Sequence, residues 1–248
     1  MPTATRTDQL RLLDLQALDA RLDRLAHRRR TLPELAEIDR VQARLVTLHD
    51  LIVAAETEQS DIAREQVKAE ADVEQVRARA ARDQQLLDAG TVGSARELEN
   101  LQHEIASLQR RQGDLEDVVL EIMERLEQTG ARLGELTAER DQAAGELVEL
   151  ERRRDDALGE IDAEAGELGA QRAALRDQID AALMTMYERI RDQQGGVGAA
   201  PLRQRRCEGC RLELNTVDLN RIREAPEDQV IRCEECGRIL VRTDESGL

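Results

Sequence analysis

The chain contains no phenylalanine, no tryptophan and a single tyrosine, Tyr187, among 248 residues. Large aromatic side chains supply much of the buried area of a compact core, so a broad globular core is excluded as the main architecture. Long apolar runs are missing as well. No stretch approaches the ~18 consecutive apolar residues of a membrane span, and the opening MPTATRTDQLRLLD has no apolar segment of signal-peptide length. These absences predict a cytoplasmic protein without membrane contact. Histidine is scarce and scattered, at His27, His49 and His103, and reads as helix surface. There is no glycine-rich phosphate loop, nucleophile elbow or open metal-site signature. The expectation is therefore a non-enzyme with no small-molecule substrate.

Charge is what the chain has in excess: 36 basic against 52 acidic residues, a net −16. The imbalance is not uniform. Residues 201–248 carry 9 arginines and 10 acidic residues, so nearly all the negative excess lies in the first 200. That long segment repels phosphate backbones. A nucleic-acid contact would have to be made by the C-terminal part.

High charge with abundant Leu, Ala, Glu, Arg and Gln points to long helices or a coiled coil. The spacing agrees. Leu15, Leu18, Leu22 and Leu25 share a helical face. TLPE at 31–34 interrupts it, with Thr31 suited to cap a new helix and Pro33 tolerated in its first turn. From Leu45 a strict alternation of three- and four-residue steps runs through Leu48, Ile52, Ala55, Ile62, Ala69, Val73 and Val76 to Leu87. Such a narrow seam is the mark of a coiled coil. Gly90 and Gly93 allow a reversal, and Ser94 with Glu97 forms a capping box for the next helix. The seam resumes at Leu98 and Leu101 and continues through Ile122, Leu150 and Ile161 toward Ala182, with Glu164 and Gln171 placed inward. Near Ile179 the apolar set moves over by one residue. Two long arms joined by a short reversal predict an antiparallel hairpin in which facing residue numbers sum to about 184.

All four cysteines fall between 207 and 236, as Cys207-Glu-Gly-Cys210 and Cys233-Glu-Glu-Cys236, with 22 residues between the pairs. Two thiolates on one tight turn can share an ion, and a second such turn completes a tetrahedral shell, which suits zinc. Gly209 and Gly237 are expected at the sharp bends. A closed four-thiolate shell leaves no position for water or substrate, so the single Zn2+ is read as structural. A module of this size lacks the core to fold without it. The rival is a redox pair, but the βαβ setting of thioredoxin-like motifs is absent.

Arginines surround the cysteines: Arg203, Arg205, Arg206, Arg211, Arg232, Arg238 and Arg242. Two readings stand. The ribbon recognises protein partners, making the chain a scaffold or adaptor; or its arginines grip RNA or DNA phosphate, making it a nucleic-acid-binding regulator. The bland reading of these arginines is local pairing with Glu208, Glu213, Glu234 and Glu235. The lack of aromatic stacking platforms weakens the nucleic-acid reading.

The predicted organisation is a mainly α protein: a frayed segment over 1–7, a coiled-coil hairpin over 8–194 with a break near 31–33 and reversal at 90–94, a flexible linker over 195–200, a four-cysteine zinc ribbon over 201–243, and a tail over 244–248. This arrangement resembles a bacterial family of long coiled-coil hairpin proteins with a C-terminal C4-type zinc ribbon. SARELENLQHEI at the hairpin tip, with Ser94, Arg96, Glu97 and Leu98, carries part of the likeness; CEGCRLEL and IRCEECGRIL carry the rest, and LLDLQALD near the start is similar. Some members of that family are linked to flagellar or type III secretion systems and bind a sigma factor, secretion components or a flagellin message. What the resemblance implies for this chain is the scaffold role. Leu98 stands where an aromatic residue is common in the family.

Overall fold

The computed structural model describes residues 3–90 and 92–248. Met1 and Pro2, within the segment expected to fray, and Thr91, within the expected reversal, lie outside the described residues. Four helices come first: α1 (Arg6–Arg30), α2 (Pro33–Asp88), α3 (Ala95–Arg176) and α4 (Ala181–Gln193). A small α/β segment follows: β1 (Ala199–Arg203), β2 (Arg206–Cys207), α5 (Thr216–Glu224), β3 (Ile231–Arg232) and β4 (Ile239–Arg242). The chain divides into two compact units, Ala36–Glu151 and the union of Met1–Leu35 with Arg152–Leu248.

The Ala36–Glu151 unit is the coiled coil that the three-four spacing predicts. Ile38, Val41 and Leu48 of α2 pack with Ala143 and Leu150 of α3, and Ile62 and Ala69 with Ile122. Ion pairs bracket this seam: Arg44–Glu139 at 3.4 Å, Arg125–Glu65 at 3.0 Å, Arg77–Glu116 at 3.2 Å and Arg79–Glu104 at 2.6 Å. Their residue numbers sum to between 183 and 193, an antiparallel register from one residue below to nine above the expected sum. These pairs are half exposed and each contributes little stability. The buried Leu, Ile, Val and Ala seam holds the helices together, and the charges select register.

In the other unit the helices end where local chemistry ends them. Thr31 does not begin α2 as expected. It closes α1, with its Oγ1 donating to the His27 carbonyl at 3.0 Å. α2 then starts at Pro33, whose missing N–H is no loss in a first turn. The second arm is not one helix to residue 193. α3 stops at Arg176, and Asp180 caps α4 by accepting from the amides of Ala182 and Leu183 at 2.9 and 3.0 Å.

The seam also shifts earlier than the spacing suggests. Glu164 and Gln171, expected inward, are exposed, while Ala165 and Arg172 turn in beside Ile161 and Leu168. Ala157 and Leu158 both touch the core there. A straight helix drifts about 20° per heptad against a 3.5 repeat, and a one-residue change of phase absorbs the drift.

Among the described residues the N-terminal segment is fastened from Thr3 onward. Thr3 bridges Gln229, and the Ala4 amide donates to the Asp228 carbonyl at 2.8 Å. Residues 195–200 are not a loose linker either. Gly195 and Gly196 take left-handed conformations (φ 65° and 92°) that end α4, and β1 already begins at Ala199. Gly198 is needed for space, since a Cβ there would lie 2.7 Å from the Tyr187 carbonyl oxygen.

The four strands form one sheet in the order β2-β1-β4-β3, with β1 and β4 parallel and the other pairs antiparallel. Strand alternation gives it two apolar faces. Ala199, Ile239 and Val241 join Leu12, Leu15, Leu183, Tyr187 and Ile190 in a core shared with α1 and α4. Ala200, Leu202 and Leu240 face the other way, onto Leu219 and Ile222 of α5 and the cysteines.

Candidate metal centre and its surroundings

Each Cys-x-x-Cys pair sits on a turn of the same construction. The Arg211 amide donates to the Cys207 carbonyl at 2.7 Å, as the Gly237 amide does to the Cys233 carbonyl at 2.8 Å. The Cys207 amide donates to the Leu212 carbonyl at 3.0 Å, and the Cys233 amide to the Arg238 carbonyl at 2.9 Å. The residue after each second cysteine is left-handed: Arg211 at φ 63° and Gly237 at φ 72°. Sequence reasoning placed the bend of the first turn at Gly209. There glycine serves a different need, because a Cβ would lie 2.7 Å from Arg238 Cδ and 3.0 Å from Ala200 Cβ. The bend falls on Arg211, a residue type that pays a steric penalty in that conformation.

The two turns bring all four sulfurs within 4.8 Å of one another. Cys207 Sγ lies 3.9 Å from Cys236 Sγ, and Cys210 Sγ lies 3.9 Å from Cys233 Sγ. Four Zn–S bonds of about 2.3 Å at tetrahedral corners place sulfurs about 3.8 Å apart. The donor set and its spacing therefore fit one structural zinc ion, held by Cys207, Cys210, Cys233 and Cys236. In the metal-free form burial pushes the Cys207 and Cys233 thiols above their ordinary value. Metal binding must therefore displace protons.

The arginines singled out from sequence scatter into different roles. Arg238 donates to the carbonyls of Val197 and Gln194 at 3.0 and 2.9 Å. Arg242 donates to the carbonyls of Ala225 at 2.7 Å and Glu227 at 3.0 Å, closing the end of α5. Both are structural fasteners. Arg232 Nε donates to the Gly237 carbonyl at 2.8 Å, and Arg206 to the Arg211 carbonyl at 2.8 Å. Arg203 pairs with Glu245 at 2.5 Å. Arg205 occupies the left-handed turn between β1 and β2 (φ 65°). Of the four glutamates expected to pair locally, Glu234 does so, with Arg221. At the hairpin tip the Glu97 amide donates to Ser94 Oγ at 3.3 Å, and Leu98 is 40% exposed.

A buried polar cluster escaped sequence reasoning. Asp19 is 2% exposed and accepts from Tyr187 Oη at 2.7 Å and from Arg172 Nε at 2.5 Å, with Arg191 Nε at 3.4 Å. Burial, then the bond to Asp19, drives the Tyr187 hydroxyl far above its ordinary value. Beside it Gln16 accepts from the Gly198 amide at 2.7 Å and donates to the Gly196 carbonyl at 3.0 Å. The cluster pins α1, α3, α4 and the start of β1 to one another. Its one visible sequence signal was the lone tyrosine.

Comparison with known proteins agrees with this geometry. Residues 15–195 match the CT398-like coiled coil hairpin domain, and residues 206–240 match the C4-type zinc ribbon domain. A protein of Mycobacterium tuberculosis is 39% identical over 236 residues, spanning 95% of this chain and 96% of its own. One of Mycobacterium leprae is 32% identical over 229 residues, spanning 91% of this chain and 96% of its own. A solved structure from Mycobacterium smegmatis superposes with a TM-score of 0.83 at 37% identity, covering 97% of this chain and all of the other. CT398 from Chlamydia trachomatis shares the fold, with a TM-score of 0.70 at 21% identity and coverage of 96% and 98%. With both matched modules present in order, the chain belongs to the family of CT398-like coiled-coil hairpin proteins that carry a C4-type zinc ribbon.

Proposed function

We propose that this protein is a non-enzymatic cytoplasmic adaptor: the zinc ribbon recognises a protein partner, and the coiled-coil hairpin carries further contacts. One observation supports the reading above others. The ribbon sheet is built into the helical core through Ala199, Ile239 and Val241, while its opposite face packs on the four cysteines and α5. A surface held this firmly is pre-organised for recognition, which lowers the entropy cost of binding. No described helix is long and apolar enough to cross a membrane, and four unpaired thiols available to a metal suit a reducing compartment.

The nucleic-acid alternative loses support because Arg238 and Arg242 are engaged with backbone carbonyls. A native pull-down with and without nuclease, using the intact protein and Cys233→Ser, tests the adaptor. Partners that survive nuclease and need the intact ribbon are expected. Partners lost with nuclease would overturn the reading.

A further inference from the structure

One cleft in the ribbon-bearing unit has no part in zinc binding. It has a volume of about 360 Å³ and lies where α4, α5 and β3 meet. Its floor is apolar: Met186 from α4, Ile222 from α5, and Val230 and Ile231 leading into β3. Its rim is cationic, with Arg189, Arg221 and Arg232 against a single acid, Glu234.

The rim charges are not equally engaged. Arg221 pairs with Glu234 and approaches Asp218 at 3.7 Å. Arg232 uses Nε on the Gly237 carbonyl, and among the described residues its terminal nitrogens meet no carboxylate. Among the described residues Arg189 is exposed and forms neither an ion pair nor a side-chain hydrogen bond. Two positive charges therefore exceed what the rim neutralises, above a floor that favours apolar contact.

We infer that this cleft is the docking site of the ribbon for an acidic peptide segment of a protein partner, one large aliphatic side chain entering the floor while flanking Asp or Glu meet Arg189 and Arg232. This rests on the adaptor reading and names the chemistry of its partner. Arginine forks suit carboxylates, and a desolvated apolar anchor ringed by polar contacts is the usual energetic centre of an interface. A phosphate backbone fits less well. Glu234 stands on the rim, no aromatic ring is present for a base to stack on, and the floor is aliphatic.

The test uses the full-length, zinc-loaded chain as bait for a phage-displayed library of random dodecapeptides. Selection is expected to enrich peptides with Asp or Glu flanking Leu, Ile or Met. A synthetic peptide from the enriched set should bind about three- to tenfold more weakly to Arg189→Glu, and within about twofold of wild type to Arg189→Lys. Arg189 has no partner to lose, so neither variant threatens the fold. Enrichment without acidic bias, or peptides indifferent to Arg189→Glu, would overturn the inference. So would a single-stranded RNA oligonucleotide that displaces those peptides and itself depends on Arg189. The two readings fail separately. If Arg189→Glu keeps the nuclease-resistant partners that Cys233→Ser loses, the adaptor stands and the cleft is not its docking site.

Discussion

Replacing Asp19 by alanine tests whether the ribbon and the helices form one unit. From sequence Asp19 is one more acid on a charged helix, where such a change is worth within about ±0.5 kcal/mol. In the structure it is 2% exposed and accepts from Tyr187 Oη and Arg172 Nε, with Arg191 Nε at ion-pair distance, 3.4 Å. Its removal leaves Arg172 and the buried Tyr187 hydroxyl without their main partner, while Arg191 keeps Asp23 at 2.6 Å, and breaking a buried pair costs about 3–5 kcal/mol. Arg172 keeps 23% side-chain exposure, so water recovers part of that loss and the lower end, about 3 kcal/mol, is expected. For a unit of this size the shift in Tm is ~6–12 °C. Tyr187→Phe leaves both arginines paired and should cost only about 1–2 kcal/mol.

The assay is favoured by composition. Tyr187, the one aromatic residue, is fully buried in the same core, so its near-ultraviolet dichroism reports this unit alone, while the far-ultraviolet signal reports all helices. The Asp19→Ala transition followed through Tyr187 should move well ahead of the bulk helical transition. A loss below about 1 kcal/mol would refute the argument that this cluster ties the ribbon to the hairpin.

Further outcomes follow from the site. Zinc affinity, measured by chelator competition, should rise with pH. The Cys207 and Cys233 thiols are held above their ordinary value by burial, so both must release a proton to bind; at about tenfold per proton these two alone give at least about 100-fold per pH unit. Affinity independent of pH between 6 and 8 would contradict this. Arg211→Gly relieves a left-handed arginine (φ 63°) and should stabilise the loaded ribbon by up to ~1 kcal/mol, read as slower zinc loss to chelator. Gly209→Ala should do the opposite, costing about 1–3 kcal/mol as its Cβ meets Arg238 and Ala200. Gly198→Ala drives a Cβ to 2.7 Å from the Tyr187 carbonyl; a destabilisation of about 2 kcal/mol or more is expected in urea unfolding followed at Tyr187, with the hairpin helices intact.

How far the sequence reached depended on the range of the interaction involved. The coiled-coil seam was legible because its period is written into neighbouring residues: Leu48, Ile52, Ala55 and Ile62 can be buried only on one stripe of a helix. The zinc ligands were legible because each tight turn sets two sulfurs by local geometry, and four thiolates close a shell without help from elsewhere. The bend of the first knuckle was misassigned to Gly209, since glycine signals both left-handed backbone and close packing. Only the neighbours, Arg238 and Ala200, tell them apart.

The sequence by itself determined a helical hairpin, a reversal, and a four-cysteine ribbon for one zinc. Periodicity, capping and ligand spacing are all local. The tertiary structure alone decided that Ala4 and Gly195–Gly198 are fastened rather than loose, that Asp19 is buried at the centre of a polar cluster, and that Arg238 and Arg242 bind carbonyls while Arg189 stands free on a cleft. Each of those outcomes joins residues far apart in the chain, and no local pattern records which distant partner a charged side chain will meet.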